Sequence, residues 1–476
     1  MHTPSHREEG KKNLQFNWLV IFLLLPLTFL LCYWKQFNGL YGQEPHELYR
    51  YMQSLFAFLQ GGPSPISQNA PVLFPLAGAI VSLLIPPHFS LQLVSIMSAG
   101  FCYIFFCRVL NALYPGGTQR QRFAFLALFL SPFFFRAAIV GFADMLSMAF
   151  LLCALHEYLK WKKTASSQSM LLATCLAVLA IQTRYSLIFL LLPLVPMLWT
   201  AVRSRLSLFL ITLFAILMSY TPTIFLKGQD GLDFVLHPWL DNWSPLNFFR
   251  NSFEIGANQF SYTLPNLAYV LSVLLHPGFC IIGLVFIVLS LRTGIGLPKS
   301  WLISTGIFLL FIAGLPTQDL RLLLPAFPLV LLALYPAYED LIYRFKSRNQ
   351  RVLVYLAAVA VQLSLAVKVI TPVIHYQQEE LSIAMALKKM PAATLNTFAI
   401  DGALRTYEVP QEIVNMWSTS FPLYNNGDLI LFNKTRFETL YKNSGPVRNF
   451  QQLRSGGRLM FVMSFTNGWE LYRIKQ

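Results

Sequence analysis

Long apolar runs alternate with short polar connectors along most of the chain. About eleven of these runs approach or exceed the length that crosses a bilayer as a helix, which is about 20 apolar residues. The predicted spans are 16–34, 90–111, 122–136, 143–160, 168–182, 185–200, 206–226, 266–291, 299–315, 321–340 and 351–371. The pattern therefore predicts an all-α polytopic membrane protein over residues 1–371.

One further apolar run, 71–85, is shorter and is bracketed by prolines. It predicts either a short span or an amphipathic helix in the membrane interface. Positive charge decides between them, because basic loops favour the cytoplasm. If the basic N-terminus is cytoplasmic and this run is interfacial, the later basic connectors also become cytoplasmic. We therefore expect eleven spans and a first external loop at 36–89 that contains amphipathic helices.

Residues 372–476 follow a different pattern. Short apolar stretches such as LNTFAI, GDLILF and GRLMFVMSF are separated by Gly, Asn and Pro. Strands bounded by such turn residues are typical of a small α+β domain. The span count places this domain outside the membrane, on the same side as a second large external loop at 227–265.

Composition agrees with a membrane protein, since 55% of the residues are hydrophobic and 12% are charged. The formal net charge of +15 would by itself suggest nucleic-acid binding. However, Lys and Arg lie mostly in the short connectors, where they set topology. The sequence therefore predicts the membrane, and no nucleic acid, as a partner.

The first segment with ionisable side chains that is predicted to be exposed to water after the first span is GQEPHELYRY, which contains Glu44, His46, Glu47 and Arg50. A helix starting near Pro45 would place Glu47 and Arg50 on one face. These residues are candidates for a catalytic site, and His46 is the weaker one because a single His is seldom a ligand. The alternative is a loop whose charges only anchor it at the lipid headgroups.

Asp144 lies at the external edge of a predicted span. An ionised group at membrane depth costs about 3 kcal/mol or more unless it faces a polar cavity. Asp144 is therefore a second candidate catalytic acid, and the nearest cation in the sequence is Arg136. The alternative is a helix N-cap, in which the carboxylate would accept hydrogen bonds from free backbone amides.

Arg184 and Arg321 also fall at external ends of predicted spans, and both are candidates for binding a phosphate. A guanidinium group binds phosphate oxygens in a bidentate manner and stays charged at a low-dielectric boundary. The alternatives are a side chain that only reaches the headgroups and, for Arg321, an ion pair with Asp319.

External acids combined with external arginines suit glycosyl transfer from a lipid-linked sugar phosphate. The lipid tail needs a groove in the bilayer, the departing phosphate needs cations, and the acceptor hydroxyl needs a carboxylate to take its proton. No Gly-rich nucleotide-binding loop is present in the sequence, which argues against a soluble nucleotide sugar as the donor.

At these residues the chain resembles the GT-C superfamily of membrane glycosyltransferases, particularly the aminoarabinose transferase and protein O-mannosyltransferase branch. The similar segments are GQEPHELYRYMQSL, APVLFPLAGAIVSLL, SPFFFRAAIVGFAD, the TRY turn and QDLRLLLPAFPLVLLA. The resemblance implies an inverting enzyme that uses a polyprenyl-phosphate sugar. It implies Glu44 or Glu47 as the first acid, Asp144 as the second, and Arg184 and Arg321 as the phosphate-facing residues.

Two departures from the family pattern concern metal binding. In the family, the first-loop motif is usually led by Asp, whereas this chain has Glu-Pro-His-Glu at 44–47. A further acid that is often found before the second amphipathic helix is replaced here by Gln68, Asn69 and Ala70. The first-loop acid in such enzymes is often in metal contact. No cofactor is therefore certain from the sequence, a divalent metal stays open, and metal ligands are unknown.

The resemblance leaves the acceptor open among lipids, glycans and proteins. Two other functions stay open as well, namely a transporter or flippase for a lipid-linked saccharide and a non-catalytic assembly partner with the same fold. The expected location is the bacterial inner membrane, with a cytoplasmic N-terminus and a periplasmic C-terminal domain. An endoplasmic-reticulum membrane protein would have the same topology, with the active face in the lumen.

Overall fold

The computed structural model describes most of the chain, and helices make up the larger part of it. The described residues are 23–65, 70–117, 119–204, 206–227, 240, 242–255, 258–279, 283–345, 347–417, 424–441 and 444–475. The helices up to residue 227 are α1 Leu25–Trp34, α2 Gln43–Leu59, α3 Leu73–Val81, α4 Pro87–Leu113, α5 Arg120–Phe123, α6 Pro132–Ile139, α7 Asp144–Thr164, α8 Ser167–Thr183, α9 Val195–Ser204 and α10 Leu206–Lys227. The later ones are α11 Asn266–Val270, α12 Ser272–Leu275, α13 Gly283–Thr293, α14 Lys299–Ala313, α15 Phe327–Arg344, α16 Arg348–Leu387, α17 Asp401–Thr406, α18 Lys434–Leu440 and α19 Gly445–Ser455.

In the described part, four helical segments are long and apolar enough to cross a membrane. These are Pro87–Leu113, Ser207–Lys227, Leu320–Arg344 and Arg348–Leu387. A helix pair, Arg120–Phe129 and Pro132–Ile139, bends by 65° and makes a fifth if it is one span. The predicted number of eleven spans is therefore not confirmed.

Three predicted spans are interrupted at prolines, which explains part of the difference. The predicted span 122–136 breaks before Pro132, and 185–200 contains a 3₁₀ turn that includes Pro193. In 266–291, helix α12 ends just before Pro277. Proline has no backbone N–H and clashes with the preceding turn, so an apolar run need not form one helix. The first part of the predicted span 16–34 lies outside the described residues.

The segment predicted as the first external loop, 36–89, contains two helices, α2 and α3. Helix α2 begins at Gln43, two residues earlier than predicted, and Pro45 takes its third position, where the N–H has no partner within the helix anyway. Helix α3 has nine residues, a length of about 14 Å, which is too short to cross a bilayer. It packs on α2 and α4 through a buried cluster that includes Met52, Phe74 and Leu91.

Helix α16 connects the membrane part to the C-terminal region. It continues through residue 371, where the sequence predicts the domain boundary, and ends at Leu387 after 40 residues. Its length of about 60 Å is twice the hydrocarbon thickness of a bilayer. One end of this helix must therefore project out of the membrane, and the small C-terminal domain follows that end.

The C-terminal domain contains a mixed five-stranded sheet, β3 to β7. The strands are β3 Thr394–Thr397, β4 Glu412–Asn415, β5 Leu429–Asn433, β6 Leu459–Ser464 and β7 Trp469–Ile474. Their order is β4-β3-β5-β7-β6, with β3 parallel to both of its neighbours and β7 antiparallel to β5 and β6. Strand β5 is buried throughout its length. A separate hairpin, β1 Ser252–Ile255 and β2 Asn258–Ser261, lies in the second large loop.

A buried contact joins helix α2, helix α16 and the C-terminal domain. His46 Nε2 lies 3.2 Å from Glu380 Oε2, and both side chains are almost fully buried. The second carboxylate oxygen of Glu380 accepts the Gly42 backbone N–H at 3.0 Å. The His46 ring also meets the Tyr407 ring edge to face. These contacts fix the start of α2, and with it Glu44 and Glu47, against the C-terminal domain.

Replacing His46 with Ala is expected to destabilise the purified protein by about 3 kcal/mol, because the buried Glu380 carboxylate would lose its side-chain partner. Thermal unfolding in detergent and limited proteolysis of the C-terminal domain measure this effect. The matched control is Glu412→Gln, which alters an exposed position of β4. Unchanged unfolding in His46→Ala would show that the contact does not hold the domain.

Candidate active site

A cavity of about 420 Å³ brings together five of the sequence-predicted residues. Its wall includes the acids Glu44, Glu47 and Asp144 and the cations Arg184 and Arg321. They come from four places in the chain, namely the start of α2, the start of α7, the end of α8 and the turn before α15. We refer to this space as the first cavity.

Asp144 is at the centre of the charged cluster. Only 1% of its side chain is exposed, yet both carboxylate oxygens face cations. Oδ1 forms an ion pair with Arg184, and Oδ2 lies 3.1 Å from Arg321 Nε. The N-cap alternative is wrong, since the cap position is Ala143 and Asp144 is the first residue of α7. The two guanidinium groups instead compensate the cost of burying this charge.

Arg184 follows the last residue of α8, where the backbone becomes extended before a 3₁₀ turn at Tyr185–Ile188. Its side chain is 12% exposed and forms the ion pair with Asp144. The Arg184 side chain is therefore more than a cation that extends to the lipid headgroups, because it is paired with a buried acid. The end of the helix places the guanidinium against the start of α7.

Arg321 lies in the 3₁₀ turn Leu320–Ala326. Asp319 Oδ1 accepts the backbone N–H of Arg321 at 2.9 Å and so caps this turn. The guanidinium pairs with Glu44 at 2.6 Å and with Asp144, and it lies 4.0 Å from the centre of the Phe142 ring. Within the described residues, the ion pairs of Arg321 are therefore with these two acids, and the alternative of an ion pair with Asp319 is wrong.

Glu44 and Glu47 lie one turn apart on α2 and both line the cavity. Both side chains are partly exposed to solvent, and Glu47 also accepts a hydrogen bond from Gln43 Nε2 at 2.7 Å. Desolvation raises the pKa of the Glu47 carboxyl and outweighs the Gln43 hydrogen bond, which lowers it, and the negative charges of Asp401 and Glu44 raise it further. A raised pKa brings a carboxylate closer to the value that suits a general base near neutral pH.

The other candidate residues lie elsewhere. His46 belongs to the buried contact with Glu380, and Arg50 lines neither this cavity nor its neighbour. Arg136 and Asp319 line a second cavity of about 80 Å³, which shares Arg321 with the first. Sequence reasoning did not identify Glu380. The pair of acids at 379–380, soon after the last predicted span, was the only signal for it.

The described residues contain no preformed cluster of metal ligands. Within the described residues, no group of three or more His, Cys, Asp or Glu side chains could hold a metal ion. Both oxygens of Asp144 already face guanidinium groups, which a metal cation would have to displace. The side chains of the cavity themselves offer carboxylates, which accept protons, and arginines, which stabilise an anion.

Comparison with known proteins gives a family and a fold. The model of the Alg9-like mannosyltransferase family matches residues 67–410 of this chain. No curated protein matches this chain. Among solved structures, ArnT from Cupriavidus metallidurans bound to undecaprenyl phosphate is similar, with a TM-score of 0.58 and 14% identity over 95% of this chain and 98% of ArnT. ArnT in the apo state gives a TM-score of 0.59 at 13% identity, over 96% of this chain and 98% of ArnT.

Proposed function

The chain belongs to the Alg9-like mannosyltransferase family, and it is a membrane glycosyltransferase with the GT-C fold; from this premise we propose its donor, its reaction and its site. The donor is a polyprenyl-phosphate-linked sugar, with mannose as the first candidate. The acceptor is a hydroxyl group on a lipid, glycan or protein. Transfer takes place at the external face and inverts the anomeric carbon.

The observation that carries this proposal is the charged cluster in the first cavity. Arg184 and Arg321 both line this cavity, and Arg321 pairs with Glu44 and Asp144 while Arg184 pairs with Asp144. A polyprenyl phosphate becomes an anionic leaving group when the sugar departs, and a fixed guanidinium such as that of Arg321 stabilises such charge strongly in a water-poor site. The structure of ArnT with undecaprenyl phosphate supports the same class of donor for this fold.

The acids serve the acceptor. Glu44 or Glu47 takes the proton of the acceptor hydroxyl while its oxygen attacks the anomeric carbon. Asp144 holds the two arginines in place from the inside of the cluster. The C-terminal domain adjoins α2 through Asp401, whose carboxylate accepts a hydrogen bond from Gln43 Nε2 at 3.4 Å, and this contact supports a role of the domain in covering the cavity or selecting the acceptor. The expected setting is a multi-pass protein with a cytoplasmic N-terminus and the domain 372–476 outside, in a bacterial inner membrane.

Transfer from radiolabelled polyprenyl-phosphate sugars in membranes with and without the protein tests this proposal. Label that reaches lipid, glycan or protein acceptors only in the presence of the protein establishes the transferase and identifies the acceptor class by extraction. The proposal fails if no label moves. Translocation of the lipid by the purified protein would then indicate a flippase, and binding without turnover would indicate an assembly partner.

Protonation of Glu47 is expected to lower the rate of sugar transfer at acidic pH, so that the pH profile of transfer has an acidic limb. Because the pKa of Glu47 is raised, the carboxylate is lost as pH falls through a range above the usual value of 4.5, and transfer should fall with it. If Glu47 takes the proton, Glu47→Gln abolishes most of the rate together with this limb. If Glu44 takes it, Glu47→Gln keeps most of the rate at neutral pH. A pH profile of transfer for both single Gln variants decides between the two acids.

A further inference from the structure

One arginine beside the charged cluster has no acidic partner. Arg136, on α6, contacts Tyr41, whose hydroxyl lies 3.2 Å from its Nε and whose ring centre lies 5.6 Å from its Cζ. Among the ion pairs of the described residues, none involves Arg136. A half-buried guanidinium next to a neutral phenol is a ready site for an anion.

The arginines of the first cavity, unlike Arg136, are already paired with acids. Three acids line this cavity, and both of its arginines are engaged by carboxylates. A phosphate that entered this space would approach three acids, Glu44, Glu47 and Asp144. Like charges repel each other, and the charge of the buried Asp144 is screened least by solvent.

The second cavity suits a phosphate better. Arg136 and Arg321 both line it, and its apolar wall includes Phe133, Leu320 and Leu324. Its volume of about 80 Å³ is several times the roughly 10–15 Å³ that one water molecule needs. The one acid in its wall, Asp319, is exposed and already accepts the Arg321 backbone N–H. Solvent and salt screen such an exposed charge more than a buried one.

We propose that the second cavity is the binding site for the phosphate of the lipid donor, held between Arg136 and Arg321. This inference rests on the proposed function and adds Arg136 as a substrate-binding residue. The first cavity then holds the transferring sugar and the acceptor hydroxyl. Arg184 acts through Asp144, and is therefore a positioning residue.

This arrangement also fits an inverting reaction. In such a reaction the acceptor oxygen forms its bond to the anomeric carbon on the face opposite to the breaking bond to the phosphate oxygen, which keeps the electron pair. The acceptor proton passes to Glu44 or Glu47. A phosphate in the second cavity and an acid in the first place the leaving group and the base on two sides of Arg321, which lines both spaces.

Binding of undecaprenyl phosphate to the purified protein tests the site. Arg136→Gln is expected to weaken binding roughly 10- to 100-fold, because a charge-assisted, bidentate contact is lost. Arg136→Lys keeps the charge without the planar fork and should give an intermediate affinity. The matched control is Arg50→Gln, which removes the same charge from the first external loop and should stay within threefold of the wild type. Thermal unfolding without lipid shows that each variant is folded.

The outcomes separate the two proposals. If the wild type transfers sugar and both Arg136 variants bind the lipid within threefold of it, the phosphate site is wrong while the function stands. If the wild type binds the lipid, Arg136→Gln does not, and no sugar moves under any condition, the site stands while the transferase function fails. Equal weakening by Arg50→Gln and Arg136→Gln would also overturn the site, because it would indicate a general effect of surface charge.

Discussion

Replacing both Glu44 and Glu47 with Gln is expected to lower sugar transfer by about 10²- to 10⁴-fold, the usual contribution of a positioned general base. Both carboxylates line the first cavity, so the double variant removes either candidate for the base. Glutamine keeps the size of the side chain but cannot accept the proton. Transfer of radiolabel from a polyprenyl-phosphate sugar measures the loss.

Lipid binding distinguishes a lost base from a damaged site in this double variant. Glu44 competes for Arg321, so undecaprenyl phosphate should bind to the variant at least as tightly as to the wild type. Glu412→Gln, at an exposed position of the C-terminal sheet, is the control for loss of a carboxylate and should transfer normally. Transfer at the wild-type rate in the double variant would refute the assignment of the base.

Replacing Asp144 with Asn is expected to affect both stability and transfer. The substitution leaves the buried Arg184 guanidinium without its carboxylate, and breaking a buried ion pair costs about 3–5 kcal/mol. Transfer should fall about 10²-fold, because Arg321 loses one of the two partners that orient it and small misplacements cost that much. Thermal unfolding in detergent and the radiolabel assay measure the two effects.

The double variant Asp144→Asn, Arg184→Gln isolates the ion pair. Removing both charges leaves no unpaired ion, so the melting temperature should recover towards that of the wild type, which would show strong coupling between the two positions. Transfer should stay low, since Arg321 still lacks Asp144. Additive losses of stability in the double variant would contradict the pair seen between these residues.

The apolar pattern predicted a mostly helical membrane protein with a small C-terminal α+β domain, and it placed Glu44, Asp144, Arg184 and Arg321 on one side of the membrane. The structure brings these four residues into contact. The pattern could not give the breaks near Pro132, Pro193 and Pro277, because hydropathy averages over a window and is insensitive to a single missing N–H.

Other features depend on contacts that no local pattern contains. His46 and Glu380 are more than 300 residues apart, and their pairing follows from the docking of α2 on α16. Likewise, the roles open to Arg136 became distinguishable only when Tyr41 and the second cavity were located beside it. The sequence predicted which residue types could do the chemistry, whereas their partners required the fold.

The most direct test of the central claim is a cryo-electron microscopy structure of the protein in a lipid nanodisc with a polyprenyl-phosphate sugar. Density for the phosphate is expected at Arg321, with the sugar in the cavity lined by Glu44, Glu47 and Asp144. A donor bound at the opposite end of the membrane helices, or a cavity that stays empty at a saturating donor concentration, would contradict the claim.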